Sequence, residues 1–206
     1  MRARWVWPSA IAVLALVIGF STEYRPIDAP QAAAQHAFDP VAFGAQTYES
    51  QVVPELKRSA VDLSVLLPAL EQNPQAGGQQ YGRRQGDGPY NYAVRGTGVA
   101  AGVRSGLLQV TVPGAPPDTQ VYLQVGPAIN GTALRDAVGF ITFGQFLNQV
   151  EYADAATALN NEVKQRVLAG LDPAALSGKT ISFVGAFTAL TPTTVTVTPV
   201  ELEVRP

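Results

Sequence analysis

The chain has 206 residues and 21.7 kDa, with 14 basic and 16 acidic side chains, one histidine and no cysteine. That length suits one domain of ordinary size with a short extra segment. Zero cysteines exclude a disulfide framework, thiolate catalysis, Fe–S clusters, thiolate zinc sites and a lipid-modified N-terminal cysteine. A single imidazole argues against a His-based metal site. A net charge of −2 and a pI near 5.4 give no electrostatic footprint for nucleic acid.

Arg2 and Arg4 precede an apolar run from Trp5 to Phe20, WVWPSAIAVLALVIGF. As a helix this run spans about 24 Å. That is short for a bilayer core of about 30 Å but workable, because arginines snorkel and Trp5 and Trp7 suit the interface. A cleavable signal peptide would need small residues soon after the run, yet Ser21 to Asp28 reads STEYRPID, and the small run Ala32-Ala33-Ala34 comes too late. Residues 1–22 are therefore expected to be a signal anchor, a single-pass inner-membrane helix with the bulk of the chain in the periplasm. Cleavage would instead release the chain to the periplasm. Residues 23–37 read as a linker that holds His36 as a solvated side chain. The first 37 residues carry three Arg, one Glu and one Asp, so the remainder carries a net −3.

Residues 38–206 form the expected periplasmic domain, helical over 38–80 and barrel-like over 90–204. Asp39-Pro40 is a helix start, a capping carboxylate followed by proline at the first helical position. Val41, Phe43, Tyr48, Val52 and Val53 follow at roughly helical spacing. Pro54 restarts a helix with Leu56, Ala60, Val61, Val65, Leu66 and Leu67 as its apolar stripe. Pro68 and Pro74 are expected to break or bend the chain beyond that stripe, and Gly77-Gly78 with GRRQGDG (82–88) to form a loop.

From Tyr90 the period becomes that of a strand: Tyr90, Tyr92 and Val94, then Leu108, Val110 and Val112, then Val121, Leu123 and Val125. A long helical pattern comes next, through Phe143, Phe146, Leu147, Val150, Ala153, Leu159, Val163, Val167 and Leu168, ended by Gly170 and Pro173. Ile181, Phe183, Gly185 and Phe187 make a fourth strand, and Val195 to Val204 a fifth. Across Thr198-Pro199 the apolar phase flips, which predicts a bulge or an edge position. The fold class expected is mainly β with helices (α+β): a five-stranded OB-fold-like barrel with a helix between strands 3 and 4, whose stripe caps the strand ends. It is preceded by helical segments and an N-terminal membrane helix. An open α+β sheet fits the same element order.

No nucleophile elbow, phosphate-cradling glycine loop or metalloprotease helix is present, so no catalytic residue, metal or cofactor is expected. Gly96-Thr97-Gly98 reads as a bend between strands. Arg83-Arg84, with Tyr81 and Tyr90, reads as a solvated turn. Asp136, Glu151 and Asp154 are the only carboxylates grouped near apolar sequence. The densest polar constellation is GPAINGTALRDAVGFITFGQFLNQVEYADAATALNNE, 126–162. Buried amides and charges cost several kcal/mol unless paired, so this stretch either forms a satisfied network or lines a polar site. Its candidate ligand- or partner-binding residues are Asn130, Thr132, Arg135, Asp136, Asn148 and Gln149. In the structural alternative Arg135 pins backbone carbonyls or a helix end and Asn148 satisfies a loop.

The same stretch, with FDPVAFGAQTYESQVVPELKRSAVDLSVLLPAL, QQYGRR, SGKTISFVGAF and TVTPVELE, resembles a family of uncharacterised predicted periplasmic lipoproteins of bacteria. The resemblance covers most of residues 38–204. Members of that family are often encoded beside sugar-uptake ABC transporters, which implies an accessory role in periplasmic solute uptake. The partners it implies are transporter subunits or a periplasmic solute-binding protein. The lack of a lipobox cysteine departs from the family's label, so anchoring falls to the apolar helix. A stand-alone carbohydrate-binding module is the alternative, with Tyr90, Tyr92 and Tyr122 as a stacking platform, at least one of them in the core. A hydrolase using Asp136 and Glu151 is a third option.

Overall fold

The computed structural model describes residues 38–205. The anchor and linker expected over 1–37 lie outside the described residues. Among those described, no helix is long and apolar enough to cross a membrane.

The chain enters through helix α1 (Pro40–Thr47), one turn of π-helix (Tyr48–Val52) and α2 (Val53–Ser59). Asp39 caps α1 as its sequence predicts: Oδ1 accepts from Val41 N at 2.9 Å and Ala42 N at 3.0 Å. The single helix expected through Leu67 is interrupted. Ala60 is extended, because Arg95 donates from Nε and Nη2 to its carbonyl at 3.1 and 2.7 Å. Val61–Asp62 form a two-residue strand, β1, and Asp62 then caps α3 (Leu63–Gln72) through Ser64 N. Pro68 sits inside α3 without ending it. Pro74 opens another helix, α4 (Pro74–Tyr81), capped by Asn73, so Gly77 and Gly78 are helical and the loop begins only at Gly82.

The strands are β2 (Asn91–Arg104), β3 (Leu107–Thr111), β4 (Gln120–Gln124), β5 (Thr180–Thr188) and β6 (Thr194–Val204). β2 is long enough to pair with β5 through its first half and β3 through its second. β4 pairs with β3 and, in parallel, with β6, and β6 pairs with β5. Five strands thus close on themselves as a barrel, which removes free edges. β1 adds a sixth, short strand, parallel to β2.

Two cores result. Inside the barrel lie Tyr92, Val94, Leu108, Val110, Leu123, Phe183, Phe187, Val195 and Val197, with Leu63, Leu66 and Leu67 of α3. On the outer face Ala93, Ala186 and Val200 meet Tyr48, Val52, Leu56, Leu134, Val138, Ile141, Leu159 and Val163. The phase flip in β6 is the bulge expected: Val184 pairs with Glu201 and Gly185 with Pro199, leaving Val200 as the extra residue. Val195 and Val197 therefore face the barrel interior while Val200 serves the outer core.

Between β4 and β5 the chain forms a short helix, α5 (Ala133–Val138), and the long helix α6 (Gln149–Arg166). The long helix starts later than its apolar pattern suggests, because Asn148 caps it and Phe143–Gln145 form a separate 3-10 turn. Leu147 and Val150 are consequently exposed. Helix α6 does not plug the barrel. Leu159 and Val163 enter the outer core, and Leu176, from a 3-10 turn at Pro173–Leu176, enters the barrel core.

Candidate functional site

Four of the polar side chains between residues 124 and 152 form one partly buried network around Arg135. The Arg135 guanidinium, 7% exposed, donates from Nε to Asp136 Oδ1 at 2.7 Å and from Nη1 to the Tyr152 carbonyl at 2.8 Å. Its Cζ lies 3.4 Å from the Tyr152 ring centroid, a cation–π contact in a desolvated place. Asp136 also accepts from Thr132 Oγ1 at 2.6 Å and from Tyr152 Oη at 3.2 Å. Burial, then the Asp136 carboxylate, holds the Tyr152 phenol above its ordinary value, so it stays a donor. This network ties α5 to the first turn of α6.

The other candidates are placed apart from it. Asn130 contributes its backbone: its N–H donates to Gln124 Oε1 at 2.9 Å and its carbonyl accepts from Gln124 Nε2 at 3.0 Å. Gln124 also donates to Thr198 Oγ1 at 2.7 Å, which pins the loop before α5 to the barrel wall. Asn148 is the α6 cap, accepting from Glu151 N at 3.0 Å. Gln149 is exposed at the first turn of that helix. Glu151 turns back to accept from Leu147 N at 3.0 Å. Sequence reasoning missed Gln124 and Tyr152. Gln124 reads as an outward strand position, and Tyr152 acts partly through a backbone carbonyl, which no side-chain pattern reveals.

A second feature centres on Tyr90, where β2 begins. The loop 82–90 is closed by paired backbone bonds between Arg83 and Asn91 at 2.8 and 2.7 Å. Arg83 donates to Glu55 Oε1 at 3.2 Å. Its guanidinium also packs on Gly139, the left-handed C-cap of α5 (φ 77°), where a Cβ would come within 2.8 Å of Arg83 Nη1. Arg84 lies over the Tyr90 ring, its Cζ 4.7 Å from the centroid. Gln79, Arg83, Arg84, Gln85 and Asp136 line an open cleft of about 440 Å³ on this side of Tyr90. QQYGRR and GTALRDAVG, far apart in sequence, thus meet at one surface.

On the opposite side of Tyr90 lies the mouth of the barrel, a more enclosed and mostly apolar cavity of about 480 Å³ lined by Leu67, Leu70, Tyr90, Tyr92, Phe187 and Val195 among others. Tyr92 stacks on Phe187 at 5.0 Å between centroids and lies 6.3 Å from Tyr90. Tyr92 belongs to the core at 1% exposure. Tyr122 points out of the barrel and donates to Gln120 Oε1 at 2.6 Å. The three tyrosines form no common platform: Tyr92 is buried, Tyr122 is on the outer wall, and Tyr90 alone stands between two cavities.

Among the described residues, no group of three His, Asp or Glu side chains could hold a metal ion. The fold is similar to that in the crystal structure of an OB-fold protein from Thermotoga maritima, with a TM-score of 0.66 and 21% identity, covering 82% of this chain and 99% of that one. At that identity the likeness establishes the architecture alone. No curated protein matches the chain. Residues 10–203 match the family described as "Predicted periplasmic lipoprotein (DUF2291)", and the chain belongs to that family.

Proposed function

We propose that this protein is a non-enzymatic accessory of a sugar or solute ABC transport system, held at the periplasmic face of the inner membrane by residues 1–22. Its partners are transporter subunits or a periplasmic solute-binding protein. The observation that favours binding over catalysis is the state of the two acids a hydrolase would need. Asp136 already accepts from Thr132, Arg135 and Tyr152, and Glu151 is engaged at the start of α6. A general acid or base must be free to move a proton at the substrate, and these internal bonds commit Asp136 and one oxygen of Glu151 to holding the fold. The partner class rests on the family resemblance and on the cleft where QQYGRR meets the α5 segment. Cross-linked pull-down of the tagged protein from detergent-solubilised native membranes, read by mass spectrometry, is expected to recover transporter subunits or a solute-binding protein. A bait recovered without either removes the reading.

A stand-alone carbohydrate-binding module is the second reading, favoured by one observation: Tyr90, half-buried, borders a cleft that carries Gln79, Arg83, Arg84 and Gln85, the mix of aromatic face and planar polar groups that suits a sugar ring. Titration of the full chain with a broad sugar panel tests it, and silence across the panel ends it.

A further inference from the structure

The mouth of the barrel is built unlike the cleft on the far side of Tyr90. Its floor is the Tyr92–Phe187 stack and Val195, and its sides are Leu67 and Leu70 of α3. At its rim, Leu190 in the β5–β6 loop is 78% exposed, a large apolar side chain that the described residues leave to solvent. A volume of about 480 Å³ falls within the usual range for a small-molecule site of roughly 300–1,000 Å³, and barrel mouths are among the usual places for one.

Charge narrows the ligand class. Among the described residues, the only charged side chains lining the cavity are Glu71 and Asp118, both exposed at its rim, and no lysine or arginine lines it. Three of the segments that build its walls lie within stretches 59–82, 105–134 and 180–204, none of which contains a basic residue. The Arg84 guanidinium sits on Tyr90 but lines the other cleft. An anion entering the mouth would find negative charge and apolar wall. A polyol would strand most of its hydroxyls against leucine and phenyl surface, at a cost for each unpaired group. A cation with an apolar body meets the Tyr90 ring, the Leu70 and Leu190 side chains and two carboxylates.

We propose that the barrel mouth is a binding site for a small organic cation with an apolar body, of the arylalkylamine or alkylamine class. The body lies along Leu70, Tyr90 and Leu190, above the buried Tyr92–Phe187 stack, and the ammonium group faces Glu71 and Asp118. The site rests on the cavity alone and not on the transporter reading, so either stands or falls without the other.

The test uses three probes with one body and different heads: 3-phenylpropylamine, 3-phenylpropanol and 3-phenylpropanoate. Each is titrated calorimetrically into the full chain in lipid nanodiscs, with empty nanodiscs subtracted. Probes of this size are expected to bind at about millimolar affinity, amine tightest and carboxylate weakest. The double variant Glu71→Gln/Asp118→Asn changes only exposed side chains and should weaken the amine about three- to fivefold while leaving the alcohol unchanged. Thr193→Trp, at the exposed rim, should block all three. Equal or tighter binding of the carboxylate, unchanged amine binding in the double variant or in Thr193→Trp, or absence of binding by every probe would each overturn the assignment.

Discussion

The guanidinium of Arg135 sits over the ring of Tyr152, its Cζ 3.4 Å from the centroid, and at 2.8 Å holds the carbonyl of that same residue. One side chain of α5 thus grips both the face and the backbone of the first turn of α6, while its Nε neutralises the neighbouring Asp136. The contact is the hinge pin of the segment between β4 and β5.

Replacing Arg135 by alanine is expected to lower stability by about 2–4 kcal/mol, because it leaves the partly buried Asp136 carboxylate without its cation and removes the grip on α6. Arg135→Lys should also destabilise, by a smaller amount, since an ammonium keeps the charge but loses the planar group over the ring and the fork of donors. Urea denaturation followed by far-UV circular dichroism measures both. A wild-type midpoint for Arg135→Ala would show that the network does not hold α5 to α6.

Tyr48 sits in the π-helical turn, 2% exposed, and its hydroxyl has no hydrogen-bond partner among the described residues. A buried hydroxyl without a partner costs about 1–3 kcal/mol, so Tyr48→Phe is expected to raise stability by about 1 kcal/mol. The same denaturation experiment decides it. A lowered midpoint would reveal a partner for that hydroxyl.

Alkaline pH should unfold the domain through its buried phenols. Burial, then the neighbouring Tyr90, pushes the Tyr92 phenol up to about 12 from its ordinary 10.0, and burial raises Tyr48 further in the same direction. A folded-state pKa above the unfolded one means the native state holds its proton more tightly. That contribution is therefore intact below about pH 10 and is lost as pH rises toward 12. Melting temperatures at intervals from pH 8 to 12 should be level and then fall, and the fall should be shallower in Tyr92→Phe. An equal slope in both proteins would place the alkaline sensitivity elsewhere.

Gly185 opposes the β6 bulge, and a Cβ there would drive into the Thr198 carbonyl and come within 2.7 Å of Val197 Cγ1. Both are fixed by the barrel, so neither can move aside cheaply. Gly185→Ala is expected to cost about 2–4 kcal/mol, readable as a drop in melting temperature. A fully stable variant would mean that the bulge can shift register.

Much of the barrel was legible in the residues. Tyr90 to Val94, Leu108 to Val112, Val121 to Val125 and Ile181 to Phe187 alternate because every second side chain fills the barrel interior with large apolar groups, and the phase flip at Thr198-Pro199 located the bulge. The helical half was read less well. The break at Ala60 depends on Arg95, a residue 35 positions away whose side chain takes the carbonyl a helix would have used. The apolar residues Leu147 and Val150 imitate a continuing helix stripe, yet the Asn148 cap starts α6 only at Gln149 and leaves both side chains exposed. At the candidate site, the sequence identified Arg135, Asp136 and Thr132 as chemically dense. Their engagement with Tyr152, and the meeting of that segment with QQYGRR, needed the folded chain.

By itself, then, the sequence determined the α+β class, the five barrel strands and the phase of each, because these arise from local periodicity, capping chemistry and composition. Barrel closure, the division into two cores, the consumption of the polar cluster in its own network and the opening of an acid-rimmed apolar mouth were decided only by tertiary structure. Each of these depends on which distant residues come within a few ångströms, and short-range pattern carries no record of that.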